Sequence, residues 1–256
     1  MIKFGNFIVT DNSGWLSESS SPGPTPPTPV LPAGTVRVRT SDGNAPVKSE
    51  YTSYETATLV AGTSDVYDVY KSGTSFEALL RDSTNVTEVL DANTTGITNM
   101  KLMFADCYYL TSVSLFDTSS VTTMGGMFTS CYRLVNVPLF DTSNVTDMGM
   151  FSYCRNLTTV PLFNTSSATR MNGMFLGCTS LTSIPLFNTS SVIDMSSMFE
   201  NCYAVESGAL ALYQQASTQA TPPVYYSDCF KRCGKNTTTG AAELAQIPAS
   251  WGGTGA

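Results

Sequence analysis

One phrase is written four times between Phe104 and Cys202, and it constrains this chain more than any other feature. Phe104 opens FADCYYLTSVSLFDTSSVTTMGGM, Phe128 opens FTSCYRLVNVPLFDTSNVTDMGM, Phe151 opens FSYCRNLTTVPLFNTSSATRMNGM and Phe175 opens FLGCTSLTSIPLFNTSSVIDMSSM. A fifth copy begins at Phe199 and fades after Cys202. The spacings are 24, 23, 24 and 24 residues. A fixed period in this range marks an array in which each copy is one coil that buries its apolar face on the next.

Two periodicities run inside each copy. Val121, Met124, Met127, Phe128 and Cys131 fall on one face of a helix, with Ser119 or Ser120 before them as an N-cap. Gly125 and Gly126 weaken that helix, so it would persist only when packed. Leu134, Val137, Leu139 and Phe140 have the L-x-x-L-x-L cadence of a leucine-rich strand. Pro138, Pro161 and Pro185 stand where such a strand would continue, which predicts short strands ending near Val137, Val160 and Ile184. The expected fold is an α/β solenoid: a leucine-rich-repeat-like array of about 24-residue units with short parallel strands and short helices. A small β-rich module would cap its N-terminal end and a helical segment its C-terminal end.

The flanks divide accordingly. Residues 1–18 hold Ile2, Phe4, Phe7, Val9 and Trp15, a dense apolar load on a segment too short to fold alone. Such a segment either packs on its own body as a strand or docks on another subunit. Residues 19–34 carry six prolines in 16 residues. At roughly 3.1 Å per residue, this extended spacer reaches about 50 Å and favours docking elsewhere. Residues 35–74 read as the β-rich cap, with strands at 35–40, 57–61 and 66–70 and an Asp42-Gly43 turn. Phe76 to Leu80 reads as a short helix, and Val86, Val89 and Leu90 as a degenerate repeat. The array is assigned to 75–208 and the C-terminal cap to 209–256, with a final helix over 241–246 and Trp251 covering the last coil.

Composition excludes several function classes. Thirteen basic against 20 acidic residues leave no basic surface of the kind that holds nucleic acid or anionic lipid. The chain has no histidine, which removes the usual general base and the imidazole metal sites. No apolar run approaches the length of a membrane helix, so membrane insertion is not expected. Lys3, a broken apolar stretch and Asp11 do not make a secretory signal. No constellation of nucleophile, base and orienting group is visible, so no enzymatic activity, cofactor or metal is expected.

Repetition also sorts the candidate site residues. Cys107, Cys131, Cys154, Cys178 and Cys202 recur once per copy and read as a column of buried free thiols. Cys229 and Cys233 stand apart, with a disulfide or a zinc site as the alternatives to free thiols. Asp117, Asp141, Asn164 and Asn188 share one position. Free exchange of Asp with Asn favours a turn or cap over a calcium ladder, and the neighbouring Thr and Ser would be a second cap or a solvated rim. After each ladder cysteine come Tyr108, Tyr132, Arg155, Thr179 and Tyr203. These positions vary where core positions do not, as solvent-facing sites do. Tyr108, Tyr132, Arg155 and Tyr203 are therefore the candidate binding residues, with packing along the array edge as the other reading.

The tandem M-F-x-x-C-x-x-L-T-x-V-P-L-F-[DN]-T-S-x-V-T-x-M resembles the BspA-like leucine-rich repeat surface proteins, phage-encoded type, over roughly residues 75–208. The resemblance implies surface display and adhesion rather than catalysis. It implies a phage virion component at the particle surface, with residues 1–18 docked on a capsid or tail protein and the array facing a host surface protein or glycan. Many copies or a homo-oligomer are expected. The alternative is a bacterial cell-surface adhesin or interaction module of the same repeat family.

Overall fold

The computed structural model describes residues 3–4, 7–8 and 30–255. Contacts divide the chain into two units, Met1–Val30 and Leu31–Ala256. In the first unit, strand β1 (Lys3–Phe4) pairs antiparallel with β2 (Phe7–Ile8), Lys3 opposite Ile8 and Phe4 opposite Phe7. Of the docking residues named above, Ile2, Val9 and Trp15 lie outside the described residues.

The second unit begins with an alternating strand. In β3 (Thr35–Thr40), Val36 and Val38 point into the core. Arg37 and Arg39 take the other face, where Arg37 pairs with Asp68 at 2.7 Å. Arg39 pairs with Asp65 at 2.8 Å and with Glu88 at 2.9 Å. β3 sits at the centre of a five-stranded sheet ordered β4-β5-β3-β6-β7, with β4 at Thr56–Leu59, β5 at Val66–Tyr70, β6 at Val86–Asn93 and β7 at Ser112–Val113. All pairings are antiparallel except β6 with β7, which is parallel, Val89 opposite Val113. β6 therefore belongs both to the N-terminal sheet and to the first coil of the repeats.

The expectation of an α/β solenoid with a helical cap is overturned. Among the described residues of the second unit, the regular structure is this one mixed sheet, one 3₁₀ turn and two short helices, α1 (Ala209–Thr218) and α2 (Thr238–Leu244). Among the described residues between Phe104 and Cys202 there is no helix, and β7 is the only strand of more than an isolated bridge. Phe76 to Leu80 is likewise a run of turns rather than a helix.

The reason lies in where the backbone N–H groups go. In the first copy Met103, Ala105 and Cys107 donate to the carbonyl three residues back. The alternate residues Met100, Leu102, Phe104 and Asp106 donate to Thr123, Gly125, Met127 and Thr129 of the next copy at 2.8–3.0 Å. Left-handed residues recur four apart, at Leu102 and Asp106, Gly126 and Ser130, Gly173 and Gly177, and Ser197 and Asn201, while the coil with the single Gly149 keeps only Tyr153. An α-helix would send every N–H four residues back and admits no such residues. A string of turns keeps the same i, i+3, i+4, i+7 buried stripe and pairs half of its donors with the adjacent coil.

The leucine side is also not a set of strands. Ser114 N–H donates to Val89 O at 2.9 Å and closes the β6–β7 pairing. Pro138, Pro161 and Pro185 take the place of Ser114 in the next copies and have no N–H to give. Each instead accepts an i+2 bond from Phe140, Phe163 or Phe187 at 2.9–3.0 Å. In that tight turn the residue in the middle points outward. Leu139, Leu162 and Leu186, expected in the core, are 53–60% exposed, as is Leu115 at 62%.

What stacks is the interior. Phe104, Phe128, Phe151, Phe175, Phe199 and Phe230 form a column with ring centroids 5.3–5.8 Å apart and planes within 15°. Each of the five ladder cysteines donates its thiol to the carbonyl oxygen of the previous coil's Phe or Leu: Cys107 to Leu80, Cys131 to Phe104, Cys154 to Phe128, Cys178 to Phe151 and Cys202 to Phe175, at 3.0–3.1 Å. Thr118, Thr142 and Thr165 run the other way, each hydroxyl donating at 2.8 Å to the Asp or Asn carbonyl of the next copy. These threonines are buried, not a solvated rim. The side-chain oxygens of Asp117, Asp141, Asn164 and Asn188 each accept the N–H two residues on at 2.9–3.1 Å, an arrangement that Asp and Asn satisfy equally.

The stack continues past the fading fifth copy. Tyr225, Ser227, Cys229 and Lys231 accept the N–H groups of Met195, Ser197, Phe199 and Asn201. Cys229-Phe230-Lys231-Arg232-Cys233 thus occupies the place of Met198-Phe199-Glu200-Asn201-Cys202, and both cysteines are buried free thiols. Trp251, in a 3₁₀ turn (Ala249–Trp251), closes the column against Phe230 at 6.4 Å and Tyr226 at 4.3 Å. α1 starts at Gly208, which has no capping side chain. The carboxylate of Glu243 on α2 supplies the acceptor, to Gly208 N at 3.4 Å and Leu210 N at 3.1 Å.

Candidate functional site

A coil that spends its interior positions on Phe, Met, Cys and Leu leaves chemistry only to the outward positions between them. The position after each ladder cysteine is one of these. There Tyr108 and Tyr132 stack with centroids 5.1 Å apart and planes 10° from parallel. The guanidinium of Arg155 lies over the Tyr132 ring at 4.8 Å, continuing the stack by one coil. Stacking of equivalent residues follows from the coil spacing, which resembles that of paired strands. Offset aromatic pairs and Arg over an aromatic face are both attractive.

Three of the four candidate residues are therefore brought into one row. The fourth, Tyr203, is not: Thr179 stands between, its hydroxyl donating to Arg155 O at 3.2 Å. Tyr203 has its own cation, the ammonium of Lys235 at 4.6 Å from the ring, and its hydroxyl donates to Asn201 Oδ1 at 3.0 Å. The tyrosines of the row are half-buried and Arg155 is exposed. Burial, followed by the nearby Asp106 charge, pushes the Tyr108 phenol up, so it remains a neutral donor at ordinary pH. The tyrosines pack along the edge of the array and still present their rims and the cation to solvent.

A second row runs beside it. Tyr109 is 45% exposed and carries Arg133 over its ring at 4.6 Å. Tyr153 is also exposed and lies against Gly177, where a Cβ would come within 2.7 Å of its ring and φ is +72°. Sequence reasoning missed Tyr109, Arg133 and Tyr153 because each was judged by its own column. The signal for Tyr109 and Arg133 was the accumulation of Tyr and Arg in the two residues following Cys107 and Cys131; Tyr153 stands before its cysteine and shares no such pattern. The exposed column Leu115, Leu139, Leu162 and Leu186 was missed for the opposite reason, since strict repetition of an apolar residue reads as core.

The thiols carry no chemistry of this kind. All seven are buried, and burial drives their pKa upward, far from the thiolate form a nucleophile or metal ligand needs. Among the described residues no group of three or more His, Cys, Asp or Glu side chains is placed to hold a metal ion. None of the described helices is long and apolar enough to cross a membrane.

Comparison with known families gives one result. Residues 73–159 and 132–228 match the family described as Mycoplasma protein of unknown function, DUF285. The two matches together cover the repeats and end at residue 228, at the start of the last coil, in accord with the likeness to BspA-like repeats. No curated protein and no solved structure matches the chain.

Proposed function

Because the chain belongs to the DUF285 family, and because its stacked coils hold a row of rim residues in fixed register, we propose that it is a non-enzymatic display protein that adheres to a surface through that row. The observation that carries the reading is the Tyr108–Tyr132–Arg155 stack. Tyr and Arg are the residues that most often dominate the energy of a contact surface. Here they are prearranged by their own coils, so little side-chain entropy is lost when a partner docks.

The finer form of the proposal is a component of a phage particle. The support is in the sequence: residues 1–18 are apolar, and residues 19–34 are a proline-rich spacer. In this form the first segment docks on a capsid or tail protein, and many copies face a host surface protein or glycan. A bacterial cell-surface adhesin would use the same rim from a different anchor.

Two variants test the rim. Tyr132→Ala and Arg155→Ala should each lower adhesion of protein-coated beads to host cells about tenfold or more while leaving the melting temperature within a degree or two. Adhesion undiminished in both variants would refute the rim. Deletion of residues 1–18 tests the particle: a truncated protein that still enters particles at the full level would refute docking through that segment.

A further inference from the structure

The array carries a second feature, a cleft of about 540 Å³ cut across the coils on the Met-x-x-Met side. Its origin is legible copy by copy. Between the two methionines the coil that leads into Phe104 has Lys101 and Leu102, the one into Phe128 has Gly125 and Gly126, and the one into Phe151 has Gly149 alone, the single residue by which the copy opened by Phe128 is shorter. The one into Phe175 has Asn172 and Gly173. Side chains are thus removed from two successive coils and kept on both sides. In the coil of Gly149, Met150 N–H closes back on Met148 O at 2.7 Å, which takes up the deletion.

Charged and amide groups from three further positions line the cleft. Asp147 lies against the bare backbone of Gly125, where a Cβ would stand 2.8 Å from its Oδ2. Its carboxylate is only loosely engaged, by Gly149 N at 3.3 Å and Arg170 at 3.4 Å. Asp194 and Asn172 add acceptors and an amide donor, and Lys101 faces them from the first coil. Two cations and two carboxylates cancel, so the cleft has no net charge to attract an anion or a cation. Leu102 and Leu176 supply apolar patches beside the polar groups.

We infer that this cleft binds a neutral saccharide. Planar carboxylate, amide and guanidinium groups pair with vicinal hydroxyls in both donor and acceptor senses, whereas a charged ligand would leave one pair of like charges facing it. The volume falls in the range of small-ligand sites. The inference rests on the reading of the chain as a binding protein but not on the Tyr–Arg rim, which lies at a different position of the repeat.

The test uses the full chain with maltotetraose, cellotetraose and chitotetraose as neutral probes and 3′-sialyllactose as the charged control, each followed by saturation-transfer NMR. At least one neutral probe should receive saturation. Gly125→Leu, which fills the cleft, and Asp147→Ala, which strips its acceptor, should each abolish that transfer or reduce it at least fivefold. Melting curves check that both variants fold, and should Gly125→Leu fail to, Asp147→Ala carries the test alone. Transfer to none of the neutral probes, transfer only to 3′-sialyllactose, or transfer that survives Asp147→Ala overturns the inference. Tyr132→Ala and Arg155→Ala should leave the transfer intact, so loss of the rim and loss of the cleft are read separately.

Discussion

The thiol of Cys131 donates to the carbonyl oxygen of Phe104 across 3.1 Å, from one coil to the coil before it. That carbonyl already accepts Cys107 N–H within its own coil at 3.2 Å. Cysteine recurs in every copy because the site needs a side chain small enough for a sealed interior that can still give a weak donor. The contact repeats unchanged along the column, so it couples the coils to one another as much as it stabilises any one of them.

Cys131→Ala should cost about 1–2 kcal/mol, the sum of a lost bond and a small hollow. Chemical denaturation monitored by circular dichroism reads this directly. A midpoint equal to wild type would mean that neither the thiol's bond nor its volume contributes to stability.

The thiols also set the alkaline limit. Burial raises their pKa in the folded chain, while in the unfolded chain they titrate near 8.5. A raised folded pKa gives stability that is complete below the unfolded pKa and lost as pH climbs above it. Each thiol then subtracts up to about 1.4 kcal/mol per pH unit. The melting temperature in reductant should fall steeply between about pH 8.5 and 10.5. At pH 8 a thiol reagent should label no cysteine of the native protein and all seven after unfolding; rapid native labelling would contradict the buried column.

Phe151 lies between Phe128 and Phe175, at 5.6 and 5.7 Å, and beside Phe163 at 6.0 Å. Phe151→Ala should cost about 3–5 kcal/mol. Because neighbouring coils share that ring, the loss should appear as a lower single transition or as a split one. An unaltered melting curve would place Phe151 outside the column.

Ser114→Pro makes the first copy like the others. It removes the bond to Val89 O that closes β6 on β7 and should cost about 1–3 kcal/mol. Hydrogen exchange should quicken at Val89 and Thr111 while the Met-Phe side of the same coil keeps its protection. Uniform loss of protection through the coil would show that the two sides are not independent.

Much of this molecule could be read from its residues. The period, the interior columns of Met, Phe, Cys and Leu, the strands near 35–40 and 66–70, and the Asp-to-Asn exchange at the turns all follow from side-chain size and hydrogen-bonding type. Those properties belong to each residue wherever the backbone runs. The last coil was missed, with Cys229 and Cys233 set apart in a helical cap, although Phe230 and Cys233 keep the spacing of Phe199 and Cys202. Of the candidate row, Tyr108, Tyr132 and Arg155 were identified by their variation among copies, and their stacking needed only the coil spacing.

Sequence alone therefore determined the Met, Phe and Cys columns of the interior, because their burial obeys periodicity and apolar character, but it misplaced the exposed leucines and the buried threonines. The tertiary structure decided the backbone that carries them. Apolar residues at i, i+3, i+4 and i+7 suit a helix and a string of turns equally well. What separates the two is the destination of alternate N–H groups, and the partner that takes them sits on the next coil, about 24 residues away along the chain. The same dependence shaped the leucine side, where Pro138, Pro161 and Pro185 have no N–H for the neighbouring coil and close a tight turn with Phe140, Phe163 and Phe187 instead. No local pattern contains that partner, so no local pattern could have chosen between them.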